Sequence, residues 1–413
     1  TSQLVYPTLA SASTATAADG YQQQISRRQD AQIKYLINQA KVRTSEINRT
    51  SVQDFVKMLR EIKADRKNLA LDNIEVAAYA SPDGSLGFNK ELAEHRRNTA
   101  EQYVNGQLRK NKLGTNVDTK YTAEDWEGFK ELVQQSNIQD KEAIIRVLSL
   151  YQDPEEREQQ IRNISTAFTE LANEVLPELR RARLAINYRV VGRTDDEIRE
   201  QYMNDPSKLS IEEVLYAATL TQNPDERKAI FEKAVRLYPN DKRAHNGLAQ
   251  IAYAKGDMET AKAELAQAAE LPEANANAAL IAVREHHLDQ AESLLGKALT
   301  ASNYNEVLGN LQVARGNFVQ AAQTLKGVNT NTAALAQILT KDYVSALQNL
   351  MAVPHRDAMT AYLAAIVSAR TGDVKGAAQA LAGAIAADRS LAGLAQTDLE
   401  LAKVLAAHPE LVK

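Results

Sequence analysis

From Phe231 onward the chain repeats a spacing that calls for a stack of helix pairs. Phe231 and Ala234 recur as Leu265 and Ala268, 34 positions later. Leu295 with Ala298, Leu325 with Val328, Leu350 with Val353 and Leu381 with Ala384 follow at successive offsets of 30, 30, 25 and 31. Short phrases keep the same register: Ala254-Lys255-Gly256-Asp257, Ala314-Arg315-Gly316-Asn317 and Arg370-Thr371-Gly372-Asp373. In each, Gly suits the left-handed residue that closes one helix, and the residue after it starts the next. One such pair has too little core to stand alone, so it must bury its face on its neighbours.

The first offset, these turns and the YPND phrase at Tyr238–Asp241 resemble the tetratricopeptide repeat. The resemblance implies an all-α solenoid over residues 210–413, capped by a terminal helix at about 391–407. Its inner helices would line a concave groove suited to an extended peptide or a partner helix. Asn246, Gln250, Asn277, Asn310, Gln337 and Tyr362 are the expected inner polar residues, able to hydrogen-bond a peptide backbone.

A different pattern governs Ile74–Arg97. Ile74, Val76 and Ala78 alternate with Glu75, Ala77 and Tyr79, the period of a strand with one buried face. Ser81-Pro82-Asp83-Gly84 then stops it, and from Leu92 the apolar residues return at helical spacing. A strand thus delivers a polar loop, and a helix carries Asn89 and Arg96 back past it. With Tyr79, Gly84-Ser85, Asn89, Leu92, Glu94 and Arg96 at these spacings, the stretch resembles the core of the OmpA-like domain, a peptidoglycan-binding module of the bacterial envelope. The resemblance implies a pocket for the diaminopimelate part of the stem peptide, formed by Ser81, Asp83, Gly84, Ser85, Asn89 and Arg96. An Arg fork suits a carboxylate because it donates two parallel hydrogen bonds. Ser81 stands where that family has an Asp, with Asp83 two residues further on.

The same likeness extends outward. Gln32–Val42 reads as the opening strand, Thr50–Ile62 as an amphipathic helix, and Leu184, Ile186 and Tyr188 alternate in a closing strand after Arg180-Arg181. First and last strands are expected near the middle of the sheet. Between them, residues of about 122–175 are strongly helical and look like the insertion found in OmpA-like proteins of Bacteroidota. The expected organisation is therefore a linker, or the tail of a removed upstream region, at 1–25; an α+β OmpA-like domain with helices on one face of its sheet at 26–195; a linker at 196–209; and the solenoid at 210–413.

Composition narrows the function classes. A net charge of −4 argues against nucleic acid, whose binders carry a basic excess. With no cysteine there is no disulfide and no thiolate site, and no apolar run is long enough to span a bilayer. GxSxG, HExxH, Walker and GxGxxG patterns are missing, and the lone pair His286-His287 points its rings about 100° apart on a helix. Neither metal nor cofactor is expected. The sequence reads as a non-enzymatic periplasmic protein at the outer membrane, contacting peptidoglycan through one domain and recruiting envelope or outer-membrane proteins through the other. Its alternative is a pure protein-interaction scaffold whose OmpA-like domain has lost diaminopimelate binding.

Overall fold

The computed structural model describes residues 2–413, without the side chains of Ser2 and 165–167. The chain divides into two compact units, one of residues 22–194 and one that joins residues 2–21 to 195–413.

In the first unit, β1 (Gln24–Lys34), β2 (Leu69–Tyr79), β3 (Asn116–Thr122) and β4 (Arg181–Val191) form one sheet in the order β1-β4-β2-β3. β4 runs antiparallel to both neighbours, with Leu184 opposite Ala31 and Val76, and β2 and β3 are parallel. The helices Thr50–Ala64 and Leu86–Lys110 cover one face, where Phe55, Leu59, Ala100 and Val104 join Ile33, Ile74, Val76, Leu184 and Ile186 in a single core. The closing strand is central, whereas β1 lies at the edge, which corrects the expected position. β1 also starts eight residues earlier than Gln32, because Arg28 and Asp30 are solvated members of a strand and not loop residues. The YLINQAKV stretch leaves the sheet instead. Asn38 turns the chain at φ 55°, a left-handed conformation that Asn tolerates.

The insertion is a helical subdomain, Trp126–Gln135, Lys141–Leu150, Pro154–Arg162 and shorter turns up to Leu179, with its own core around Phe129, Val133, Ile144 and Leu171. Trp126 packs edge-on to Phe129 within it. A buried ion pair ties the insertion to the sheet: Arg181 on β4 meets Asp125 at 3.2 Å, and Asp125 also caps the first inserted helix through the Gly128 amide.

The second unit is a stack of helix pairs. Ile211–Thr219 pairs with Pro224–Leu237, Arg243–Ala254 with Met258–Gln267, Pro272–Arg284 with Leu288–Leu295, Tyr304–Ala314 with Phe318–Thr324, Asn331–Leu339 with Tyr343–Ala352, and Ala358–Arg370 with Val374–Ala387. Left-handed residues close the inner helix of five pairs: Gly256, His286, Gly316, Lys341 and Gly372. Their separations, 30, 30, 25 and 31, are those of the apolar pattern. Gly appears at three of the five, so two turns had no glycine to announce them. The approach is close both between successive pairs and within one. A Cβ on Gly247 would fall 2.6 Å from the Phe231 ring, and one on Gly309 would fall 2.3 Å from Leu325.

Three boundaries differ from expectation. Residues 196–209 are not a linker, since the helix Asp195–Asn204 buries Ile198 and the turn after it buries Leu209 in the first pair's core. The terminal helix is broken into Leu391–Thr397 and Ala402–Ala407 at Asp398, which starts a new turn by accepting from the Glu400 amide. Most consequential, residues 2–20 are no linker. Ser2–Leu9 is a helix that packs on Tyr304–Ala314 and Asn331–Leu339, with Leu4, Val5, Leu9 and Ala12 buried in the array's core. Thr1 lies outside the described residues. Small-residue composition had suggested a chain with little to bury, yet small side chains are what a close-fitting groove admits.

Candidate functional site

The inner helices hold residues 10–19 as an extended strap, and they hold it by its main chain. Asn277 reads both sides of one residue: its Oδ1 accepts from the Ala15 amide at 2.7 Å, and its Nδ2 donates to the Ala15 carbonyl at 2.9 Å. Asn246 donates to the same carbonyl at 3.0 Å and accepts from Asn277 at 2.9 Å. Asn303 donates to the Ser13 carbonyl, Glu306 accepts from the Ser13 amide, and the Tyr253 hydroxyl donates to the Ala12 carbonyl. Arg243 donates to the carbonyls of Ala18 and Asp19. Side chains contribute less. Gln250 donates to the hydroxyls of Thr14 and Thr16, and Ser11 donates to Asp357 while accepting from Asn331. Tyr6 stacks on His286, and Tyr21 on Tyr216, at the two ends.

Asparagine suits this task because its amide offers one acceptor and two donors in a plane, matching a peptide unit's own N–H and C=O. Asn246 and Asn277 are 0% and 1% exposed, so these bonds form out of competition with water. An unpaired peptide group there would carry its full desolvation cost. Burial raises the pKa of Glu306 even though the Ser13 amide favours its anion. Asp357 moves the other way: its hydrogen bonds with Ser11, Asn331 and Thr360 outweigh its burial and hold its carboxyl low.

Of the expected inner residues, the structure brings Asn246, Gln250 and Asn277 onto the strap. Asn310 lies on the same helix face as Glu306, four residues on, fully buried, and neither of its amide atoms has a partner. Gln337 faces away and accepts from Asn349. Tyr362 is a core residue, not a groove residue. It is fully buried, and its hydroxyl donates to Asp398 at 2.7 Å, so burial and that carboxylate push its pKa up. Asn303, Glu306, Asn331, Tyr253 and Arg243 escaped the sequence reading. Position gave a partial signal: Asn246, Glu306 and Asn331 each stand ten residues before a left-handed turn residue, but so do Ala276 and the core residue Tyr362.

The other expected site gathers in one place. Ser81 donates to Asp83, Asn89 reaches the Gly84 carbonyl at 3.5 Å, and Ser85 caps its helix by accepting from Phe88. Gly84 takes φ 102°, a conformation that favours glycine. Arg96, however, is fully buried, and its guanidinium donates to the carbonyls of Gln39 at 2.9 Å, Tyr79 at 2.9 Å and Leu36 at 3.2 Å. Its face lies 5.2 Å from the Tyr35 ring, and burial lowers its pKa to about 10. The turn at Asn38 is what presents two of those carbonyls. The inserted helices close over the loop, where Glu158 accepts from the Gly84 amide at 3.5 Å. The hollow that Pro82 and Asp83 share with Trp126, Phe129 and Glu158 holds about 20 Å³, roughly one water.

No family model and no curated protein matches the chain. Among solved structures it is similar to a tetratricopeptide repeat protein from Parabacteroides merdae, at 12% identity over 47% of this chain and 85% of that one, with a TM-score of 0.37. It is also similar to PilF of Pseudomonas aeruginosa, at 17% identity over 52% and 99% with a TM-score of 0.34. A third is PilW, a type IV pilus biogenesis factor, at 19% identity over 49% and 99% with a TM-score of 0.36. Among the described residues no cluster of His, Cys, Asp or Glu could hold a metal ion, and no helix is long and apolar enough to cross a membrane.

Proposed function

We propose that the chain is a protein-interaction scaffold whose helix-pair array grips an extended peptide by its backbone, and that residues 10–19 are the occupant present here. The observation that carries this reading is Asn277 bonded to both the amide and the carbonyl of Ala15 within a row of inner polar residues. Such a row is indifferent to most side chains and admits small ones. Ala, Ser and Thr fill the strap, and residues 2–18 bear no charged side chain. The preferred ligand is therefore a neutral, extended peptide of small residues.

For the sheet unit, the same reasoning favours docking onto protein over capture of diaminopimelate. Arg96 directs three of its donors to backbone carbonyls, and the adjoining hollow is far smaller than a stem peptide. The OmpA-like character of Ile74–Arg97 supports a periplasmic, outer-membrane-associated setting for this scaffold.

The test is a fluorescence anisotropy titration of a labelled peptide of residues 10–21 into a chain that starts at Gln22. Saturable one-to-one binding, weakened by Asn277→Leu, is expected. No saturable binding to a chain whose circular dichroism shows intact helices would sink the proposal.

A further inference from the structure

The N-terminal helix sits on the array as an imperfect occupant. Both amide atoms of Asn310 and the Thr8 hydroxyl are buried without a hydrogen-bond partner. Buried polar groups in native proteins are nearly always paired, so an orphaned amide on a ligand-holding face points to a ligand. Asn310 shares its helix face with Glu306, which already takes the Ser13 amide. It continues the same row, beside the helix Ser2–Leu9 that packs on its own helix.

That helix is also poorly suited to being one. Pro7 lies in its interior, where it lacks an N–H to donate and disfavours the helical conformation at Tyr6. With only eight residues, it depends on Leu4, Val5 and Leu9 for its place.

We infer that the wall covered by residues 2–9 is a second stretch of the peptide groove, built for extended main chain with Asn310 as its hydrogen-bonding residue, and that the N-terminal helix is displaced when a partner's segment enters. The inference rests on the proposed peptide-binding function. It adds the ligand's length and chemistry: an uncharged segment that stays extended beyond the strap, with apolar residues at alternate positions to fill the places of Leu4, Val5 and Leu9.

The experiment uses the full chain and two labelled peptides. The short one is residues 10–21, and the long one adds Val-Ala-Val-Ala-Val-Ala before them. Each is titrated into the full-length wild type, full-length Asn310→Leu and, as a control without the strap, a chain that starts at Gln22, with thermal unfolding of the two full-length proteins. The long peptide is expected to bind roughly tenfold or more tightly than the short one. Asn310→Leu should cut that advantage roughly three- to tenfold, the worth of one or two amide bonds, and leave the short peptide unaffected. It should also raise Tm, because the orphaned amide is gone. Equal affinity of the two peptides, an advantage that survives Asn310→Leu, or a lower Tm in that variant would overturn the inference. Failure of the long peptide to bind the full chain would likewise overturn it, whereas failure of both peptides to bind a chain that starts at Gln22, which lacks the competing strap, would overturn the peptide-binding function beneath it.

Discussion

Replacing Asn277 with Leu should loosen the strap without unfolding the array. Leu keeps the branching at Cγ, with two bulkier methyl groups in place of the amide, and offers neither donor nor acceptor. The Ala15 amide, in a residue 2% exposed, then loses the Oδ1 at 2.7 Å that pairs it. A buried group left unpaired costs roughly 1–3 kcal/mol. The Ala15 carbonyl keeps Asn246 but loses its second donor, and Asn246 loses the donor to its own oxygen, together worth about another 1 kcal/mol. At about 1.4 kcal/mol per tenfold, a total of roughly 2–4 kcal/mol raises the strap's local opening by about 30- to 700-fold. Amide hydrogen exchange reads this directly. Exchange at Ser13 and Ala15 should accelerate by that factor while β2 and β4 keep their protection, since opening is local. A change below about threefold at Ala15, or an equal acceleration throughout the chain, would refute the reasoning.

Three further outcomes follow from the same geometry. Gly247→Ala should destabilise the array by about 1–3 kcal/mol, seen as a lower urea midpoint, because its Cβ would meet the Phe231 ring at 2.6 Å; an unchanged midpoint would contradict the packing described. Glu306 has a folded-state pKa raised by burial, so it contributes stability below its ordinary range that is lost as pH rises through the raised value; strap protection should weaken across that window, and Glu306→Gln should flatten the dependence while keeping the acceptor for Ser13. Isolated cell-wall sacculi should leave the chain in the supernatant, and Arg96→Ala should lower the Tm by removing a fully buried side chain and the donor shared by three backbone carbonyls, so a wild type that pellets would overturn the reading of Arg96 as structural.

Apolar spacing made the array legible. The offsets that trim one unit to 25 residues reappear in the left-handed turns at Gly316 and Lys341, because a helix pair must keep its register with its neighbour. The strap was not legible, since a neutral tract of Ala, Ser and Thr reads as a linker, and only a groove elsewhere in the sequence gives it a place. Asn246 and Asn277 could be picked as inner residues by helical position. Tyr362 failed the same test because Asp398, 36 residues away, offers its hydroxyl a buried partner. Arg96 was visible as a residue of note. Two of the three carbonyls that engage it come from a loop that reads as a strand, and local pattern does not reveal such long-range pairings.

The central claim is that bonds within the groove, and not chain connectivity, keep the strap in place. A protease site inserted between Gln22 and Gln23 would sever residues 1–22 after folding, and gel filtration would then follow the fragment. The fragment should travel with the remaining chain in the wild type and separate from it in Asn277→Leu. A fragment that leaves the still-folded wild-type chain on cleavage would contradict it.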